Sequence, residues 1–353
     1  MRVSIRVMSF VTSCLPGNST RYPFISGFIF LLTLPASIQA AEASAAAPDV
    51  SRHQLTIALS REFGLSPSLV SATLEKAHFK PDIIARMLKP YEAKPYAEYR
   101  PLFVNQRLVD MGKPYLSAHR EIFARAEEKY GVQPEIIAAI LGMETRYGHY
   151  RGKDRILDAL YTLSSGYPKR ARFFRKELGH FLLMCQEEGL KPETLKGSMA
   201  GAFGAAQFMP SSFREYAVDG DGDGRRNIWD NPADIIFSIA NYFRRHGWDE
   251  NHPVACWLDH VPQHAVFAEA LKNRTRKWMR LERMRKAGIS HLPAVWKDDD
   301  RVTLLRFETS DGKKTALVHY NFYVIMRYNT AQNYAMAATE LAAMLGCKQC
   351  ATK

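Results

Sequence analysis

The segment Ile136-Ile-Ala-Ala-Ile-Leu-Gly-Met-Glu-Thr-Arg-Tyr-Gly148 constrains the fold more than any other stretch of this chain. In helical spacing Ile137, Ile140, Leu141 and Glu144 fall at i, i+3, i+4 and i+7, which puts a carboxylate on the apolar face. Gly131-Val-Gln-Pro134 ends one helix and starts this one, with Pro134 in the first turn. A chain of 353 residues is long enough for the sizeable core that such a face requires. Burial disfavours the charged form of an acid and raises its pKa, which suits a general acid near neutral pH. A structural Glu144 bridged to Arg146 is the competing reading, and the pattern alone leaves both open.

The chain carries 46% apolar and 24% charged residues, a globular balance that excludes disordered or collagenous chains. No apolar run reaches the roughly 20 residues needed to span a bilayer, so an integral membrane bundle is excluded too. The net charge of +12 favours anionic partners: nucleic acid, anionic lipid or an acidic polymer. The N-terminus narrows that choice. Residues 24–36 form a short apolar core behind Arg21, and small residues follow up to Ala40 and Ala41. This is the pattern of a secretory signal cut near Ala40 or Ala41. An exported, periplasmic protein is expected, with no nucleic-acid partner and at most peripheral membrane contact. An uncleaved anchor, and a lipoprotein box at Val11-Thr-Ser-Cys14, rank behind it.

Most of the chain reads as helix. Short helices are expected at His53–Phe63, Pro67–Ala77 and Pro81–Leu88, then an extended, proline-rich connector over 89–101. A longer helix over Leu102–Tyr130 is expected to break at Gly112-Lys-Pro114. Helices continue from 134 to 190, resume at Pro232–His246 and return at Tyr334–Leu345. Asp311-Gly312 between two β-rich runs marks a hairpin.

Other segments carry chemistry. Gly197-Ser198 and Gly201-Ala-Phe-Gly204-Ala-Ala-Gln207-Phe208 make a glycine-rich loop in which Gln207 offers both donor and acceptor. Asp219-Gly-Asp221-Gly-Asp223-Gly-Arg225 matches the start of an EF-hand loop, with the Arg225 carbonyl as a further ligand and Asp230 or Asp234 to close it. Oxygen ligands alone favour calcium over zinc or copper. Tyr320, Tyr323, Tyr328 and Tyr334, interleaved with Asn321, Asn329 and Asn333, suit sugar faces and hydroxyls, or simply a core. The basic stretch 272–286 reads as a solvated helix face with Trp278, Met279, Leu281 and Met284 as its apolar stripe, or as an electrostatic footprint for an anionic cell-wall or lipid surface. Cys347 and Cys350 read as a local disulfide or an unpaired tail. Ordinary glycosidases pair two carboxylates about 5–9.5 Å apart. The acids next along the chain, Asp154 and Asp158, lie beyond Gly148 and Gly152, so no partner for Glu144 is indicated.

Together these pieces resemble the lytic murein transglycosylase B family (glycoside hydrolase family 103). The matching stretches include Tyr130-Gly-Val-Gln-Pro-Glu-Ile-Ile, Gly142-Met-Glu-Thr-Arg-Tyr-Gly, Gly201-Ala-Phe-Gly-Ala-Ala-Gln-Phe-Met-Pro-Ser-Ser, the Asp219 loop and Asn333-Tyr-Ala-Met. The resemblance covers roughly residues 50–346 and is weakest across 255–300. It implies a mainly α (α+β) fold: a lysozyme-like helical core, a helical flanking part and a small β-hairpin or sheet insertion. The expected organisation is a signal at 1–41, a flexible leader at 42–52, a catalytic region at 53–346 and a tail at 347–353. Within the catalytic region the core is expected over about 130–250 plus 320–346, and the β part over about 295–320. The resemblance further implies a peptidoglycan lytic transglycosylase that cuts between N-acetylmuramic acid and N-acetylglucosamine without water. Glu144 would be its single acid/base. Tyr99, Ser198, Gln207, Phe208, Tyr242, Tyr328, Asn329 and Tyr334 would touch substrate. Asp219, Asp221, Asp223, Arg225 and Asp234 would hold structural Ca2+, with no organic cofactor. Phe173 replaces a cleft tyrosine of the founding pattern. No further wall-binding module is expected after the Tyr334 helix. Partners would be peptidoglycan strands and cell-wall synthesis or remodelling proteins. A hydrolytic muramidase and a non-catalytic wall-binding protein remain the rival functions.

Overall fold

The computed structural model describes residues 50–88 and 94–350. The expected secretion signal, the Val11–Cys14 box and nearly all of the leader lie outside these residues. Fifteen α-helices and two small antiparallel sheets are present among the described residues. No helix among them is long and apolar enough to cross a membrane.

Three short helices open the described part, at Arg52–Phe63, Pro67–Glu75 and Pro81–Met87. The leader stops short of residue 52. Ser51 and Gln54 close a capping box, and Arg52 donates to the carbonyls of Leu74 at 3.0 Å and Ala77 at 2.9 Å. The connector over 89–101 is not extended throughout, because Tyr96–Phe103 is a helix. Tyr96 and Tyr99, at i and i+3, are both buried, and that packing outweighs Pro101 inside the helix. The next helix, Gln106–Ala118, runs straight through Gly112-Lys-Pro114 and gives way only at His119. Gly112 serves there as space for a neighbouring ring, described below, and not as a breaker.

Pro134–Thr145 lies at the centre, and every residue from Ile136 to Met143 is buried. It packs on Gln332–Leu345 and Gln106–Ala118. Pro232–Arg245, capped by Asn231, packs on Arg120–Tyr130.

The hairpin pairs Arg301–Thr309 with Gly312–His319, and Gly312 supplies the positive φ of its turn. The β part extends beyond 295–320. Ala255–Leu258 and Met279–Arg280 add the two edge strands of a four-stranded sheet. The stretch 272–286 is therefore not one helix. Met279, Leu281 and Met284 are buried with Val302, Leu304 and Leu317 in a separate small core. The tail is also packed. Cys347 and Cys350 form a buried disulfide, and the Gln349 carbonyl accepts from Val254 N–H at 3.3 Å. The other two described thiols, Cys185 and Cys256, are buried, and burial pushes both up to about 12.

Candidate active site

Glu144 sits in the last turn of the central helix and is half-buried. The chain then turns sharply: Arg146, Tyr147 and Gly148 all take positive φ. Two side chains hold this turn. Thr145 donates to the Ala205 carbonyl at 2.9 Å and accepts from Gly148 N–H at 3.0 Å. Tyr147 is buried and donates to the Leu108 carbonyl at 3.0 Å. Its ring needs the two glycines beside it. A Cβ on Gly112 or Gly142 would meet the Tyr147 hydroxyl at 2.3 or 2.7 Å. Sequence reasoning missed this arrangement because a glycine in a helix looks like a breaker.

One oxygen of the carboxylate has a clear partner. Tyr334, on the Gln332–Leu345 helix, donates to Glu144 Oε1 at 2.7 Å. Burial, then the charge of Glu144, hold the Tyr334 hydroxyl protonated far above the usual tyrosine range. A ring cluster stands behind it. Phe208, Tyr242 and Tyr328 lie 4.9–5.9 Å apart, centroid to centroid. Tyr328 donates to the Ala206 carbonyl, and Tyr242 donates to the Arg327 carbonyl at 2.5 Å. All three rings are buried; the Tyr328 hydroxyl fixes the glycine-rich loop to its helix, and the Tyr242 hydroxyl ties the Pro232–Arg245 helix to the Tyr320–Tyr328 helix. Tyr99 is buried against Phe103, and Asn329 accepts from Ala331 N–H at 3.1 Å. The tyrosine-rich stretch divides here, since Tyr320 and Tyr323 pack on Trp278 instead. Phe173 lies under the Arg170 guanidinium, 4.2 Å from its ring centre.

The glycine-rich loop is strongly held. Ser198 Oγ accepts from Ala202 N–H at 3.1 Å. Gln207 takes positive φ, and its amide donates to the carbonyls of Gly204 at 2.9 Å and Arg151 at 3.2 Å. Strain of that kind collects at functional positions. Ala205 N–H donates to the Ile228 carbonyl at 2.8 Å, and Trp229 stacks on Phe203. These two contacts join the loop to the acidic turn before Ile228.

In that turn Asp219, Asp221 and Asp223 bring carboxylate oxygens within 4.8 Å of one another. Backbone N–H groups, that of Gly224 foremost, hold the Asp219 carboxyl below the usual range. A cluster of hard oxygen donors on an exposed loop fits a calcium-type cation. Asp234 stands outside this cluster. It is fully buried, and its two oxygens accept from Gly220 N–H at 2.7 Å and Asn227 N–H at 2.6 Å. It fastens the loop to the helix that follows. Arg225 donates its N–H to Asp223 at 2.8 Å. A second group, His252, Asp300 and His319, has ligand spacing, but several of its donor atoms are already engaged. The Nδ1 of His319 already accepts from Asn321 N–H at 3.1 Å, and Asp300 accepts from His252 and from Lys297 N–H.

A cavity of about 320 Å3 opens on the other flank of Glu144. Leu102, Phe103, Asn105, Arg107, Arg146 and Tyr150 are among its lining residues, and Glu144 is the one carboxylate in that lining. Asp154 and Asp158 are committed elsewhere. Arg86 binds Asp154 at 2.8 Å, while His78 N–H and Arg155 bind Asp158.

The model of the transglycosylase SLT domain matches residues 51–343 of this chain. The chain is 42% identical over 246 residues to membrane-bound lytic murein transglycosylase B of Escherichia coli (strain K12). That alignment covers 70% of this chain and 66% of the relative, just under two thirds of its length. Soluble lytic transglycosylase SltB1 from Pseudomonas aeruginosa superposes with a TM-score of 0.75 at 39% identity, covering 83% of this chain and 97% of that one. Escherichia coli lytic transglycosylase Slt35, solved in complex with calcium, superposes with a TM-score of 0.73 at 36% identity, covering 83% and 92%. A domain match over most of the chain, a curated relative and shared architecture agree that the chain belongs to the transglycosylase SLT domain family.

Proposed function

We propose that this protein is a peptidoglycan lytic transglycosylase in which Glu144 is the single general acid and base. It would cut the bond between N-acetylmuramic acid and N-acetylglucosamine. The observation that carries the reading is the lone carboxylate: Glu144 has a hydroxyl partner in Tyr334, and no second acid lines the cavity beside it. A lone acid suits a substrate that supplies its own nucleophile. The protonated acid gives its proton to the leaving glycosidic oxygen. The carboxylate then takes the proton of the muramyl C6 hydroxyl as that oxygen bonds to C1. Atoms balance without water, and the product ends in a 1,6-anhydro ring. Tyr334 orients Glu144 between the two transfers.

Tyr99, Ser198, Gln207, Phe208, Tyr242, Tyr328, Asn329 and Tyr334 form the proposed sugar-binding wall. Most act by holding backbone and rings in place, as their hydrogen bonds indicate. Asp219, Asp221, Asp223 and the Arg225 carbonyl are the proposed calcium ligands. Asp234, whose two oxygens accept from Gly220 and Asn227 N–H, is the proposed ligand that closes the loop, as each oxygen keeps a further lone pair. Bound calcium supplies charge neutralisation to the turn, which stiffens the loop of Gln207 through Ile228 and Trp229. Export to the periplasm, peptidoglycan strands as partner and cooperation with wall-synthesis proteins complete the proposal.

Mass spectrometry of muropeptides released from purified peptidoglycan tests it. Products lighter by one water and resistant to borohydride are expected. Reducible, full-mass products identify a hydrolytic muramidase instead. No product at all points to a wall-binding protein.

A further inference from the structure

The basic stretch 272–286 has no part in the chemistry at Glu144. It carries eight Lys and Arg against one acid, Glu282, a surplus of seven in a chain whose net charge is +12. Four of these cations, Lys277, Arg283, Arg285 and Lys286, pair with Glu269, Asp298 and Glu282. Lys272, Arg276 and Arg280 are exposed and form no ion pair among the described residues. The fold then sets a further cation against them. Arg280, on the edge strand of the four-stranded sheet, stands directly opposite the exposed Arg301. Like charges in that position repel, and one charge is enough to guard a sheet edge against stray pairing. The second calls for an anion.

An aromatic group adjoins the two arginines. The Arg301 guanidinium lies over the Tyr320 ring, 4.6 Å from its centre. Trp278, two residues before Arg280, meets Tyr320 at 5.4 Å and Tyr323 at 6.2 Å. All three rings are half-buried. They tilt 51–67° to one another, and Arg301 covers one face of Tyr320. The group therefore offers ring edges and polar tips, not an open flat face on which a sugar or a nucleobase would stack.

We propose that this face docks on an anionic phospholipid surface. Lipid phosphates neutralise the Arg280–Arg301 repulsion, and Lys272 and Arg276 add long-range attraction. Trp278, Tyr320 and Tyr323 sit at headgroup level, where rings with one apolar and one polar end are most stable. The contact is peripheral, and it is independent of the reaction assigned to Glu144. It sets where the protein works, not what it does.

The test floats the exported chain, its N-terminus identified by mass spectrometry, with phosphatidylcholine vesicles that contain or lack phosphatidylglycerol. Wild type is expected to float only with the anionic vesicles, and less as salt rises. The triple variant Lys272→Gln, Arg276→Gln, Arg280→Gln should bind them about a hundredfold more weakly, with an unchanged melt and unchanged cleavage of soluble glycan. A matched variant, Arg61→Gln, Lys113→Gln, Arg120→Gln, removes three exposed cations elsewhere and should bind as wild type. Lipids brominated on their acyl chains should quench part of the tryptophan emission, and Trp278→Phe should remove that part. Equal loss in the matched variant would show that net charge alone attracts the protein, and overturns the inference. So does binding without quenching at Trp278, binding that ignores phosphatidylglycerol, or a wild type that leaves vesicles alone and is retained by soluble polyphosphate.

Discussion

The Tyr334 hydroxyl donates to Glu144 Oε1 across 2.7 Å, joining residues 190 positions apart in the chain. One hydrogen bond thus ties the acid to a helix near the other end of the chain. Removing it acts on a reacting group and not on sugar binding in general. Tyr334→Phe is expected to lower kcat on peptidoglycan roughly ten- to hundredfold with a smaller change in KM. A rise in KM alone, at constant kcat, would show that Tyr334 serves only as a surface for sugar.

Glu144→Gln keeps the shape of the side chain and removes its proton chemistry. Cleavage is expected to fall by about a hundred- to ten-thousandfold, while sedimentation with purified sacculi persists. Survival of full activity in this variant would mean that another acid does the work.

Two effects oppose each other at Gly112. Alanine gains about 1 kcal/mol of helix propensity. Its Cβ, however, would stand 2.3 Å from the Tyr147 hydroxyl and 2.7 Å from a Leu345 methyl. Overpacking of that kind costs about 1–3 kcal/mol, so the steric term wins. Gly112→Ala should lower the urea midpoint and reduce activity through the displaced Glu144–Tyr147 turn. An unchanged or higher midpoint would show that the Tyr147 ring gives way freely.

Calcium should act through the acidic turn. At one hundred times its Kd, a ligand that binds only the fold adds about 2.7 kcal/mol, or roughly 4 °C of Tm in a protein of this size. Asp221→Asn should abolish the calcium-dependent part of the melt and leave the chelated melt almost unchanged. If the wild-type melt is the same in calcium and in chelator, the loop is a solvated acidic turn.

Acid should destabilise the protein before it protonates most carboxylates. Burial is the main cause that brings His180 and His246 down to about 4 and His319 down to about 3. In the unfolded chain each takes a proton near pH 6.5. The fold therefore keeps their full contribution above pH 6.5 and loses it as pH drops toward 4. Urea midpoints at pH 7.5, 6 and 4.5 should fall in that order. His246→Phe, which preserves the stack on Tyr242, should flatten the slope. A midpoint that stays level down to pH 4.5 would contradict the argument.

The central helix and its acid are legible in the sequence because they rest on one local period. Ile137, Ile140 and Leu141 are fully buried, and Glu144 lies half-buried beyond them. Tyr334 was reachable only through resemblance, since no spacing rule links two helices so far apart in the chain. The prolines misled for a related reason. Propensity describes an isolated segment, and burial of Tyr96 and Tyr99 outweighs Pro101. The edge strands at Ala255–Leu258 and Met279–Arg280 are too short to show a period of two.

The separation of Glu144 from Tyr334 also has a consequence for biosynthesis. A chain released before residue 334 carries the acid without the hydroxyl that orients it, and lacks the Gln332–Leu345 helix against which the central helix packs. The proposed wall-cutting activity would thus be withheld from copies that stop before residue 334, since its active centre forms only when the Gln332–Leu345 helix docks.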